Sequence, residues 1–236
     1  MITPTTNEAQ CTFGLVFMAF LVWIWNLRIS YPNTDILLAY VDISSCFRWP
    51  RIFPCLVGAF GFIIGAYFFA PNAMVFGSVV SASSWEPFRR AITGLAESFF
   101  GKDDLVEKHR EYLDIMRWED EPDDNVCFVP AKKCSKNKGI TNDDGTERKT
   151  PHFIYVDDNL MADARHRMRF TLAAAIEAIF TIIGFPCLVL RQCALALDKW
   201  GVLLVSYNQV LLGLAINTRQ MTVSISADFV LRHSSF

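Results

Sequence analysis

The residues in this sequence best placed to do chemistry are three carboxylates at the ends of two apolar runs. Phe153-Ile154-Tyr155-Val156 leads into Asp157-Asp158, and Ala39-Tyr40-Val41 leads into Asp42. An apolar run that ends in charge reads as a strand leaving a core and presenting carboxylates at a tight turn. Burying such charges unpaired is costly. A divalent cation is the economical partner, since Mg²⁺ takes one or two carboxylates on a rigid hairpin and completes its shell with water and phosphate oxygens. A lone Asp-Asp is more often a solvated turn. The second run, ending in Asp42 with Phe47 five residues on, is what directs attention to a metal-dependent reaction.

The elements that must position these carboxylates can be read along the chain. Residues 36–47 read as a buried strand feeding a short turn, and Trp49-Pro50 and Phe53-Pro54 then impose extended or turn geometry. Two short strands are expected near Ala59 to Ile64 and Tyr67 to Ala70. A helix begins near Ser83 or Ser84, with Glu86 and Pro87 in its first turn. A single amphipathic helix is expected from Asp103 to Glu119, capped by Asp103, with Leu105, His109, Tyr112 and Met116 on one face. Asp163 should cap a helix running from Ala164 to Ile183, which Gly184 and Pro186 end. Its first turns carry Arg165, Arg167 and Arg169, a candidate phosphate-binding face. Strands are expected at Gly201 to Val205, Gln209 to Ile216 and Met221 to Ile225, with another helix starting at about Ser226.

Composition limits the classes available. The 236 residues are long enough to bury a sizeable core in one or two domains. Hydrophobic residues make up 52% and charged residues 19%, so membrane insertion has to be weighed. Phe13 to Trp25 is apolar but shorter than the roughly 20 residues a spanning helix needs. Ile52 to Trp85 carries no charge at all, yet Gly58, Gly61, Gly65, Pro71 and Gly77 punctuate it at strand-like intervals. The net charge of -2 is unusual for a protein that tracks a phosphate backbone. About half of all charged residues fall between 101 and 150, where Glu119 to Thr150 reads as a long solvated hairpin or loop with Asp144-Gly145 at its turn. Seven scattered cysteines with no Cys-x-x-Cys pair indicate reduced thiols in an intracellular compartment. Cys127, Cys134 and His152 match no familiar zinc spacing.

Four segments, in order, resemble the palm of reverse transcriptases. Asp42 and Phe47 match the Asp-x-x-x-x-aromatic motif. Phe76-Gly77, its small-residue turn and Phe88 match the second motif, and Tyr155-Val156-Asp157-Asp158 matches the third. The Leu211-Leu212-Gly213 hairpin that continues to Val223 is similar to the primer-supporting segment of long-terminal-repeat and tyrosine-recombinase retrotransposon enzymes. The likeness covers roughly residues 26 to 230.

It implies an α+β polymerase palm: an antiparallel sheet with helices packed on one face, a charged insertion, and an apolar N-terminal helix. The implied divisions are an apolar segment 1–35 in place of fingers, a palm over 36–230 with the insertion at 101–150, and the start of a thumb at 231–236. The implied activity is RNA-directed DNA polymerisation with two Mg²⁺ or Mn²⁺ ions. Asp42 and Asp157 would bridge both ions, Asp158 would sit adjacent, and the Ile43 carbonyl would add a ligand. Phe47 would lie under the sugar and exclude a 2′-hydroxyl, although a core aromatic is an equal reading of that residue. Phe76, Gly77 and Tyr155 would shape the nucleotide site, Lys199 would assist the pyrophosphate, and Leu212 and Gly213 would support the primer. The implied partners are a primed RNA or DNA template and dNTPs, with fingers and thumb absent or supplied by another chain, in the cytoplasm or nucleus. Three alternatives remain, one of them a relic that keeps the palm ancestry without the activity, because fingers and thumb are deficient. A metal-dependent nuclease would want a further acidic or His cluster, and a multi-span integral membrane protein would make the aspartates coincidental.

Overall fold

A helix, α1 (Phe13–Ser30), delivers the chain to the strand on which the candidate site is built, β1 (Ile36–Asp42). In the computed structural model, the residues described are 13–46, 49–51, 57, 61–71, 73–74, 79–120, 126–132, 151–187, 192–202 and 204–226. After β1 come β2 (Phe62–Ile64), β3 (Tyr67–Phe69), α2 (Val79–Phe99), α3 (Asp103–Lys108), α4 (Arg110–Ile115) and β4 (Arg117–Trp118). Then follow β5 (His152–Tyr155), β6 (Asp158–Ala164), α5 (Met168–Ile183), β7 (Leu204–Val205), β8 (Asn208–Leu211), β9 (Leu214–Asn217) and β10 (Thr222–Ile225). The fold is therefore mixed α+β with antiparallel sheets.

The central sheet has the order β1-β6-β5, with both pairings antiparallel. Because side chains alternate across a strand, the sheet sorts its residues between two cores. Leu37, Ala39, Val41, Ile43 and Met161 face α2 and α5, where Trp85, Ile92, Leu172, Ile176 and Ile179 close the larger core. Ile36, Leu38, Leu160 and Ala162 face the other way, onto Phe20, Ile24 and Leu27 of α1 and onto Leu211 and Ile216. β1 is buried on both sides, which is why it reads as a continuous apolar run rather than an alternating one. Helices thus cover both faces, not one as the resemblance implied. α1 has 18 residues and leaves Leu15 and Met18 exposed on its outer side. Among the described residues no helix is long and apolar enough to cross a membrane.

Local expectations fail where a tertiary contact outweighs a local signal. The single helix expected over 103–119 is two short ones, broken at His109, whose ring is buried against Glu177 (Nε2···Oε2 2.7 Å) and Phe180. Lys102, not Asp103, is the residue that precedes α3. α2 starts at Val79, so Pro87 lies inside it rather than in its first turn. α5 starts at Met168, because residues 158–164 continue as β6 and 165–167 form a 3₁₀ turn. Asp163 is accordingly a strand residue: one carboxylate oxygen accepts the Ala164 N–H and the other the Thr171 hydroxyl, joining the strand to the helix.

Of the strand expected over Gly201 to Val205, Gly201 and Val202 end a 3₁₀ turn (Leu197–Val202) and only Leu204–Val205 form a strand, β7. The run Gln209 to Ile216 is two strands, β8 and β9, folded at Leu212-Gly213, and β10 completes this second sheet. β2 and β3 pair as an exposed apolar hairpin with Phe62 stacked on Phe69. Within the stretch 119–150 expected to be solvated, residues 126–132 are exposed or half-buried and still make tertiary contacts. Phe128 covers the Arg28 guanidinium, the Val129 N–H donates to the Arg219 carbonyl, and the Trp25 indole donates to the Lys132 carbonyl. The expected turn at Asp144-Gly145 and the helix after Ser226 lie outside the described residues.

Candidate active site

β1 and β6 are in register such that Asp42 is directly opposite Asp158. A cross-strand pair of this kind puts both side chains on one face, with Cβ atoms about 4.5–5.5 Å apart. That face bears an open cleft of ≈ 240 Å³ lined by Asp42, Asp158, Tyr40 and Leu160 from the sheet, Lys199, and the Val210-Leu211-Leu212 end of β8. The two carboxylates thus stand together at the end of the sheet, away from α2 and α5. Asp157 is one residue back in the β5–β6 turn and does not line the cleft.

The turn itself is strained and pinned. Val156 has φ of 58°, a left-handed conformation that a β-branched residue rarely adopts. Two hydrogen bonds hold it. The Trp85 indole donates to the Val156 carbonyl (2.6 Å), and the Ile43 N–H donates to the Asp157 carbonyl (2.9 Å). Trp85 is fully buried and stacks on Phe88, so the larger core fixes the carboxylates' turn from beneath. Trp85→Phe keeps an aromatic ring in the core but removes the donor and part of the indole, and should cost at least about 1–3 kcal/mol, the usual penalty for orphaning a buried acceptor. In urea denaturation, Val156→Gly, which tolerates the left-handed backbone, should recover part of that loss. Strictly additive effects of the two changes would show that indole and strain are not coupled.

The other edge of β1 is clamped by the segment that carries Lys199. The Ser44 N–H donates to the Ala194 carbonyl (2.8 Å), and the Ala196 N–H donates to the Asp42 carbonyl (3.1 Å). Three residues later Lys199 turns back so that its ammonium pairs with Asp42 Oδ2. Burial pushes the Asp158 carboxyl up to about 6, with the Asp157 charge as the second cause. Asp157 is also raised by burial, an effect its own backbone N–H partly offsets. At Asp158, removal from water outweighs the repulsion of the neighbouring carboxylate as the cause. Burial and then the Asp158 charge raise the Tyr40 hydroxyl in turn.

Of the other residues singled out from sequence, Tyr155 is half-buried opposite Asp158 at the end of β5. Leu212 (φ 51°) and Gly213 (φ 81°) form the β8–β9 turn, and Leu212 reaches the cleft. Phe47, Phe76 and Gly77 lie outside the described residues, as does Cys134. His152 is buried and Cys127 exposed, and among the described residues no group of three or more His, Cys, Asp or Glu side chains could hold a metal. What the cleft offers a cation is therefore a pair of carboxylates, Asp42 and Asp158, which suits an ion that keeps several waters.

The arginines expected as a phosphate face are engaged elsewhere. Arg165 pairs with Asp35, Arg167 with Asp163, and Arg169 with Asp114. Sequence reasoning did not single out Tyr40 or Trp85. Tyr40 stands two residues before Asp42, so strand alternation alone would have placed it on the same face; nothing in the sequence marked Trp85. No protein-family model, curated protein or solved structure matches this chain.

Proposed function

We propose that this chain is a template-directed nucleotidyl-transfer module, the palm of an RNA-directed DNA polymerase similar to those of retrotransposons. The observation that carries the reading is the in-register Asp42–Asp158 pair at the mouth of one cleft, on a turn whose strain the buried Trp85 maintains. Strained, over-determined backbone and carboxylates with displaced pKa values are what a site built for charge chemistry requires. Divalent cations bound there would supply activation of a primer 3′-hydroxyl and neutralisation of the leaving pyrophosphate. The chain's own residues do the positioning. Asp42 and Asp158 hold the charge, Tyr40 and Leu160 floor the cleft, and Leu212 borders it where the resemblance places the primer end. In this reading the cleft carboxylates are Asp42 and Asp158, with Asp157 supporting the turn. The same reading implies an intracellular protein acting on a primed RNA template with dNTPs.

Primer extension on a primed RNA template tests the proposal. Arg165 and Arg167 are paired with buried carboxylates and Arg169 with Asp114 at the surface, so this face offers phosphates few unpaired cations among the described residues. Binding should be weak and strongly salt-sensitive, because log affinity falls with log salt in proportion to the phosphates contacted. Weak extension with Mn²⁺ at low ionic strength is expected, vanishing at physiological salt and abolished by Asp42→Asn. Extension that survives Asp42→Asn, or none with any divalent cation at low salt, would overturn the reading.

A further inference from the structure

Lys199 does more in this fold than occupy the cleft. Its ammonium reaches Asp42 because the backbone delivers it there: the Ala196 N–H is bonded to the Asp42 carbonyl, and the Lys199 N–H to the Ala196 carbonyl (3.0 Å). The partner carboxylate is nearly buried, at 10% side-chain exposure, whereas the lysine side chain is 52% exposed and free to swing outward. Asp42 also has a second carboxylate directly across the strand pair. Two adjacent carboxylates in a partly dry cleft need a cation, and a lysine on a flexible four-carbon stem can supply one and withdraw.

We infer that Lys199 is an internal counter-cation that occupies Asp42 in the metal-free state and is displaced when a divalent ion binds. The inference rests on the metal-dependent reading of the cleft and adds its regulation: Asp42 is kept paired, and its cation position occupied, until a divalent ion competes for it. The ammonium and the ion contend for the same carboxylate oxygen, so removing the lysine strengthens metal binding and weakens the metal-free fold.

Free Mn²⁺ followed by electron paramagnetic resonance, titrated against the full chain, reads this without any activity. Lys199→Met, with Lys199→Gln as a second form, should bind Mn²⁺ about fivefold more tightly than wild type, the factor equivalent to an ion pair of about 1 kcal/mol. Its metal-free thermal midpoint at pH 7.5 should fall and be restored by Mn²⁺. Lys102→Met, an exposed lysine outside the cleft, controls for the loss of one positive charge and should leave the affinity unchanged. Saturable wild-type binding that is lost in Asp42→Asn yet no tighter in Lys199→Met, or an equal shift in Lys102→Met, defeats the counter-cation alone. No saturable binding by any of these chains defeats the metal reading and the counter-cation with it.

Discussion

Replacing Asp35 with Ala should cost the fold about 3–5 kcal/mol, the loss expected when one partner of a buried charge network is removed. The side chain is fully buried. Arg219 grips it with two nitrogens (2.7 and 2.8 Å) and Arg165 with a third (3.0 Å). Arg28, also buried, lies close enough to feel the charge while donating to the carbonyls of Tyr31, Pro32, Thr34 and Thr218. Three guanidiniums thus converge on one carboxylate that joins the start of β1 to the turn after β9 and to the 3₁₀ turn between β6 and α5. Without it they repel one another in a low-dielectric site. Burial alone would raise the Asp35 carboxyl, but the hydrogen bonds from Arg219 and Arg165 outweigh it and hold the group below its ordinary range. A carboxylate depressed in the folded state contributes stability above its unfolded pKa and loses it as pH falls through the folded value. Urea midpoints should show Asp35→Ala strongly destabilised at pH 7, with the gap narrowing in acid. A gap that stays constant to pH 2, or a loss under 1 kcal/mol, would mean that the cluster contributes little to the fold.

That network was invisible in the sequence, and the reason is physical. Asp35 lies 184 residues from Arg219 and 130 from Arg165, and only the packing of the elements between brings them together. The apolar run before Asp42 was legible because burial of β1 on both faces leaves no alternation to misread, but the two Asp-terminated runs do not pair: β6 lies between β1 and β5, so it is Asp158, the first residue of β6, that stands opposite Asp42. β6 was missed because Asn159 and Asp163 are buried polar residues in a strand, and Asp163 before an Ala-rich stretch imitates a helix cap. His109 broke a helix that its amphipathic pattern supported, since its contact with Glu177 on α5 lies 68 residues away. Of the cleft, the carboxylates were readable from the two apolar runs and Leu212 and Lys199 only through the resemblance, while the pairing of Lys199 with Asp42 comes from the backbone clamp at Ala194 to Ala196.

Asp158 should show opposite effects on stability and on function. Its carboxyl, raised to about 6 chiefly by burial, takes up a proton on folding between its unfolded value near 4 and about 6. Stability is therefore greatest at the acid end of that window, and it falls as pH rises through it. Asp158→Asn keeps the shape and removes the charge. At pH 7.5 without metal the variant should be more stable than wild type by about 1–2 kcal/mol, less than the full linkage value because the carboxylate is partly exposed to solvent. At pH 4 the difference should vanish, since wild-type Asp158 is then largely neutral. Divalent metal well above Kd should reverse the order, because an ion that binds only the folded wild-type site stabilises it by mass action, by about 2.7 kcal/mol at a hundred times Kd. Primer extension by the variant should fall to background. Thermal unfolding at the two pH values, with and without Mn²⁺, measures all of this in one set of samples. A variant less stable than wild type at pH 7.5 without metal would mean that Asp158 is an ordinary structural carboxylate. Equal Mn²⁺ stabilisation of both proteins would remove Asp158 from the metal site. The expected trade, in which a destabilising charge is kept because the chemistry needs it, is how a fold gives up stability at a functional site.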